Sequence, residues 1–280
     1  MLALIPYFPP LILELGKELG GGDRSLLTLD SWAILVSIGF IVGLEICRAR
    51  GIRLGLDVRD IVDGALFIVG MGFVGGHLMH VLAYNPHLLE EQGVVALLKI
   101  WAGFSSTGGF IGAVVGAILF YTVIRPRDFW KHADTVMFGF PFGWFLGRMG
   151  CFSAHDHIGA PSDFFLAVNF PGGPRHDLGL YEALCTLIIC ATFLVLRNRP
   201  NRPGLFTAIF AAMYAPIRFM LDFLRNTDLN NADTRYAGLT PAQYGMIMMF
   251  VAAVAMIVWL LRSNPAPEAV ESPTIATPPV

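Results

Sequence analysis

Arg148 closes a long apolar segment between Gly147 and Gly150, and Cys151, Phe152, His155, Asp156, His157 and Gly159 follow at once. An arginine at the end of a hydrophobic span is costly unless it pairs, reaches the interface or meets a ligand. Taken alone, it reads equally well as an arginine snorkelling to a membrane surface. A second group argues against that reading. Arg218, Asp222 and Arg225 stand at i, i+4 and i+7, on one helix face, and Asp222 can pair with either arginine. A structural ion-pair ladder also accounts for Asp222 and Arg225. Arg218 lies deeper and follows Pro216, and a proline inside a span frees a backbone carbonyl. Two arginines from different helices at one level, Arg148 and Arg218, make a clamp for a phosphate. In a membrane, the phosphate at hand is a lipid headgroup.

The histidines offer a second chemistry. His77 and His80 share a face at i, i+3 and, with His155 and His157, carry four nitrogen ligands. Their spacing is loose and no carboxylate-rich cage accompanies them, so no metal site is expected. Hydrogen-bonded histidines or proton acceptors are the better reading. Thr107-Gly108-Gly109 opens another apolar segment. Gly108, Gly112 and Gly116 recur every four residues, which allows close helix approach. Gly108 and Gly109 also let a lipid near the backbone, where helix-terminal amides favour an anion. The four cysteines have no CxxC spacing. Cys47, Cys185 and Cys190 read as small buried apolar residues, while Cys151, beside an arginine, is a candidate free thiol.

These groups need elements to hold them. The chain is 280 residues, 55% hydrophobic and only 14% charged, with mean hydropathy +0.62. That excludes an ordinary soluble domain and fits an all-α, polytopic membrane bundle. The net charge of −2 gives no sign of a nucleic-acid partner. A span needs about 20 largely apolar residues. Seven segments qualify, at roughly 30–47, 61–84, 104–124, 132–150, 179–196, 204–223 and 241–261. The fourth and sixth carry the most polar residues. Residues 1–29 lack a basic start, and Pro6, Pro9 and Pro10 break their apolar run, so they read as an interfacial arm rather than a signal peptide. Residues 30–262 form the membrane domain, with an outer segment near 151–178, and 263–280 read as a disordered tail.

Basic residues orient the bundle. Arg48, Arg50, Arg53 and Arg59, then Arg125, Arg127 and Lys131, then Arg197, Arg199 and Arg202, and finally Arg262 share one side of a seven-span chain. The other side has Lys17, Arg24, Lys99, Arg175 and Arg235. The N-terminus is therefore expected outside and the C-terminus in the cytoplasm. With that orientation His77, His80, Ser105 to Thr107, Arg148, His155 to His157, Tyr181, Glu182, Arg218, Asp222 and Arg225 fall at one level. Charged residues at such depth face a bundle interior or a wet cavity. The expectation is a site opening toward the outer leaflet.

At these residues the chain resembles the prolipoprotein diacylglyceryl transferases, bacterial inner-membrane enzymes with seven spans. The family signature resembles Gly-Arg-x-Gly-Asn-Phe with a glutamate and a glycine further on. Gly147, Arg148, Gly150, Phe152 and Gly159 match it, and Asp156 stands where the acid belongs. Trp101, Gly108-Gly109 and Gly112 resemble the region of the family's His-Gly-Gly motif. Tyr181-Glu182 resembles its fifth span, and Gly204 to Phe206 with Arg218 to Arg225 its sixth. The likeness runs from about Trp32 to Leu261. Four positions depart from it: Thr107 replaces a histidine, Cys151 an asparagine, Ala33 a tyrosine and His77 an arginine.

The resemblance implies transfer of diacylglyceryl from phosphatidylglycerol to the lipobox cysteine of a preprolipoprotein signal peptide, without a cofactor. Arg148 and Arg218 would then hold the phosphate. His155, His157 or His80 would take the thiol proton in place of the histidine absent at 107, and Glu182 and Asp222 would orient the arginines. Thr107, Gly108, Gly109, Asp156, Gly159, Tyr181 and Arg225 complete the expected substrate-binding set. Two other readings stay open. A lipid transporter would need polar residues spread through the membrane depth. A catalytically altered paralogue would bind phospholipid or lipoprotein without turning it over.

Overall fold

The computed structural model describes residues 5–15, 27–99, 103–198, 202–229 and 235–263. Its long helices start where an acid or hydroxyl can take the first free amides. Asp30 accepts from Ala33 N at 2.7 Å and opens α1 (Ser31–Arg53). Asp57 opens α2 (Val58–Met79), which runs into a wider π turn at His80–Tyr84. Two short helices follow, α3 (His87–Gln92) and α4 (Val95–Leu98). Ser105 opens α5 (Ser106–Ile118), and Asp128 opens α6 (Phe129–Ala154). Asp177 opens α7 (Leu178–Leu196). Then come α8 (Leu205–Leu221) and α9 (Pro241–Ser263). Such caps satisfy amides that the helix itself leaves free, each stabilising by about 1 kcal/mol.

Six helices are long and apolar enough to cross a membrane: α1, α2 with its π turn, α5 with the turn after it, α7, α8 with its last turn, and α9. They coincide with six of the seven expected segments. The remaining segment, the fourth in order, also forms a helix, α6, of 26 residues. Its glycines, Pro141 and Arg148 dilute the apolar run and keep it out of that set. It packs instead against α1, α7 and α8.

Glycines set the two closest helix approaches. A methyl group on Gly143 of α6 would come within 2.6 Å of the Gly39 carbonyl of α1. A methyl group on Gly75 of α2 would come within 2.5 Å of the Gly108 carbonyl of α5. Small residues at such crossings let backbones touch. Aromatics fill the centre, where Phe138, Phe193, Phe206, Phe210 and Tyr214 pack around Ile189.

The all-helical expectation needs one amendment. The segment after α6 folds into a sheet of β4 (Ile158–Pro161), β5 (Val168–Phe170) and β6 (Gly173–Asp177). The arm supplies β1 (Ile5–Pro6), parallel to β5, in the order β1-β5-β6-β4. A second pair, β2 (Ile12–Leu15) and β3 (Leu27–Asp30), lies antiparallel before α1. Strands this short, interrupted by glycine and proline, show too little alternation to be read from sequence. Residues 264–280, and with them nearly all of the expected tail, lie outside the described residues, as do Lys17, Arg24, Trp101 and Arg199.

Candidate active site

Three helices deliver the central charges. Arg148 lies near the C-terminal end of α6, Glu182 in the second turn of α7, and Tyr214 and Arg218 four residues apart on α8. All are buried: Glu182 is 1% exposed, Arg218 4% and Arg148 5%. Arg148 Nε is 2.8 Å from Glu182 Oε2, and Arg218 Nε is 2.9 Å from Oε1. One carboxylate therefore joins two guanidinium groups. Tyr214 donates its hydroxyl to Oε2 at 3.2 Å. The two Nε–H groups point off the carboxylate oxygens and make no aligned hydrogen bond. These contacts are close ion pairs with donor capacity left over. Arg148 is further seated over the Trp144 ring, its Cζ 4.4 Å from the centroid. Arg218 Nη1 donates to Asp222 Oδ1 at 2.5 Å. Asp222 also accepts from the Thr240 hydroxyl, and Arg225 Nη1 approaches it at 3.9 Å.

The end of α6 adds an imidazole and a thiol. His155 takes a left-handed conformation at φ 51° and turns the chain back over the helix end. His157 Nδ1 donates to Asp156 Oδ1, which leaves its Nε2 as the acceptor. Arg148 Nη1 stands 3.5 Å from that Nε2 and 3.8 Å from Cys151 Sγ. An arginine pair, an Asp–His dyad and a thiol thus share one corner of the bundle.

A model of the prolipoprotein diacylglyceryl transferase family matches residues 25–259. The chain belongs to that family. It is 32% identical over 263 residues to the phosphatidylglycerol–prolipoprotein diacylglyceryl transferase of Erythrobacter litoralis (strain HTCC2594), covering 88% of this chain and 91% of the relative. The enzyme of that name from Haemophilus influenzae (strain PittEE) is 30% identical over 266 residues, covering 91% and 94%. That from Pasteurella multocida (strain Pm70) is 32% identical over 233 residues, covering 80% and 81%.

The other expected histidines of this transferase have different partners. His155 is buried among Tyr7, Phe8, Phe152 and Phe170. Its Nδ1 pairs with Asp177 Oδ2 at 2.7 Å and its Nε2 donates to the Phe8 carbonyl at 3.0 Å. Both nitrogens are engaged, and burial pushes the Asp177 carboxyl above the usual range. His155 ties the arm to the sheet. His77 is buried between the carbonyls of Gly103 and Ala96, at 3.2 and 3.0 Å. The Nε2 of His80 accepts from Asn85 at 3.2 Å.

The remaining expected residues divide between packing and support. Gly108 and Gly109 spend their amides on the Ser105 side chain and carbonyl, at 3.4 and 2.9 Å. Thr107 is buried with its hydroxyl unpartnered, beside a cavity of about 340 Å³ lined also by Met79, Tyr236 and Tyr244. Gly159 bridges backbone to Arg225, and a methyl group there would meet the Leu224 carbonyl at 2.5 Å. Tyr181 shares a hydrogen bond with His176 at 2.9 Å, and burial holds that histidine below its usual value. Sequence reasoning passed over Tyr214 and Trp144. Each stands four residues before an arginine of the pair, and that spacing was the available signal.

Proposed function

We propose that the protein transfers the diacylglyceryl group of phosphatidylglycerol to the lipobox cysteine of preprolipoproteins. The observation that carries this is the Arg148–Glu182–Arg218 bridge, whose two Nε–H groups lack aligned partners. A phosphate diester offers the oxygens that such donors accept, and guanidinium forks match it. Glu182 keeps two like charges together in a buried place. The lipobox thiol attacks the glyceryl carbon that carries the phosphate. A C–S bond forms, the C–O bond to phosphate breaks, and glycerol phosphate leaves. Charge that develops on the leaving phosphate falls on Arg148 and Arg218. The thiol proton passes to His157 Nε2, and Asp156 steadies the imidazolium that results. His80 and His155 have other partners and hold structure, and the chemistry needs no cofactor.

The distribution of lysine and arginine supports a multi-pass protein of the bacterial inner membrane. Its N-terminus and site would face the outer leaflet, with the C-terminus in the cytoplasm. The test uses purified protein, phosphatidylglycerol vesicles and a lipobox peptide, with mass gain read on the peptide cysteine. A thioether-linked diacylglyceryl adduct is expected. Phosphatidylglycerol binding without any adduct would instead identify a lipid-binding paralogue, which the replacements at Thr107 and Cys151 keep in play.

A further inference from the structure

The turn after α6 gathers three different metal-ligating groups. In a continuing helix, at 3.6 residues per turn, residues 156 and 157 would point well away from 151. The left-handed His155 breaks that rotation and returns them over the helix end. Cys151 Sγ, an Asp156 oxygen and a His157 nitrogen all lie within 4.8 Å of one another. Cys151 is buried, the His157 side chain is 24% exposed and that of Asp156 39%. The cluster therefore grades from a covered sulfur to an open carboxylate, which provides an entry path. A cationic nitrogen already stands among these lone pairs: Arg148 Nη1 lies near both Sγ and Nε2.

We propose that Cys151, Asp156 and His157 form a site for a divalent cation of the zinc class, and that its occupancy displaces Arg148 Nη1 and stops the transfer. Bond lengths of about 2.0–2.3 Å at a tetrahedral centre place ligand atoms roughly 3.3–3.8 Å apart. The thiol and Nε2 already flank one cationic nitrogen, and Asp156 swings from Nδ1 to join them. Thiolate and imidazole select zinc over magnesium or calcium. The thiol proton is released to solvent, and thiolate plus carboxylate then balance the cation's charge, so binding tightens as pH rises. Three protein ligands leave the fourth position to water or a phosphate oxygen. Bound metal also takes the Nε2 lone pair that would otherwise receive the thiol proton. The inhibitory half of the proposal rests on the transferase reading; the binding half does not.

The purified protein in detergent is titrated with Co²⁺ as a visible stand-in, then with Zn²⁺ against a chromophoric chelator. One equivalent of Co²⁺ is expected to give thiolate-to-cobalt charge-transfer absorption, which Zn²⁺ displaces and excess Mg²⁺ leaves intact. Cys151→Ser should abolish that absorption and weaken Zn²⁺ binding at least about tenfold, although Cys47, Cys185 and Cys190 remain. Equal Zn²⁺ affinity in Cys151→Ser and the parent protein would overturn the site. For activity, protein is loaded with Zn²⁺ and desalted before the thiol peptide is added. Loaded parent protein should be inhibited and recover with EDTA, whereas loaded Cys151→Ser should work at its unloaded rate. Equal inhibition of both would overturn the regulatory claim. Loss of all activity without metal would count against the transferase reading, with the cobalt absorption still deciding the site.

Discussion

Arg148 and Arg218 are joined through opposite oxygens of one carboxylate, Glu182, at 2.8 and 2.9 Å. Neither arginine can lose that partner cheaply. Removing one member of a buried charge group costs about 3–5 kcal/mol, because the charges left behind stay desolvated. Glu182→Gln keeps the shape and removes the charge. It should lower stability by roughly 3 kcal/mol in this closely coupled group, read as the midpoint of thermal unfolding in detergent. An unchanged midpoint would mean that water already screens the arginines.

The fork geometry of the two arginines is separable from their charge. Lysine keeps one positive charge but gives up paired donors. Arg148→Lys and Arg218→Lys should each lower kcat/KM in the peptide assay by about 10²-fold or more, the scale of losing a transition-state donor. Full activity in either variant would show that charge alone suffices at that position.

Proton transfer has its own signature. His157 Nε2 is the acceptor only because Asp156 holds the proton on Nδ1. His157→Gln and Asp156→Asn should each lower kcat/KM in the peptide assay by about 10²-fold or more, the scale of losing a positioned general base. Full activity in both variants would take His157 out of the reaction. His155→Gln is the contrasting change: it should loosen the arm that His155 holds at Phe8, visible as proteolysis near Tyr7.

The four-stranded sheet is strapped to the loop after α8 by Arg175, which donates through both Nη atoms to Asp228. The guanidinium holds the Asp228 carboxyl below its usual range. A carboxyl lowered by folding contributes stability above its unfolded value and loses it as pH falls through the folded one. The strap should therefore hold at neutral pH and weaken only below about pH 4. Hydrogen exchange in β4 and β6 reads this. Asp228→Asn should show the loosened pattern already at pH 7.

Much of this was legible beforehand because membrane spans announce themselves. Apolar runs of sufficient length marked every long helix, and polar residues inside them marked Arg148, Glu182 and Arg218. Glu182 and Asp222 were both expected beside the arginines; that Glu182 touches both while Asp222 pairs with Arg218 alone of the two came from the fold. What stayed hidden depends on contacts remote in the chain. His155 lies within a motif that looks catalytic, yet its ring answers to Phe8, 147 residues away. Thr107 looked like a ligand position, and the fold leaves its hydroxyl beside a largely apolar cavity. The strands escaped because two to five residues carry no usable period.

The polar load of α6 bears on how the protein is made. A translocon releases a segment sideways according to its summed hydrophobicity, and aspartate, lysine and arginine weigh against release, less toward the helix ends than at the centre. A segment carrying Lys131, Asp134 and Arg148 is a poor solo traveller. It should settle in lipid when α1 is already there to receive it and α7 arrives to pair Arg148 with Glu182, which would make biogenesis a collective event.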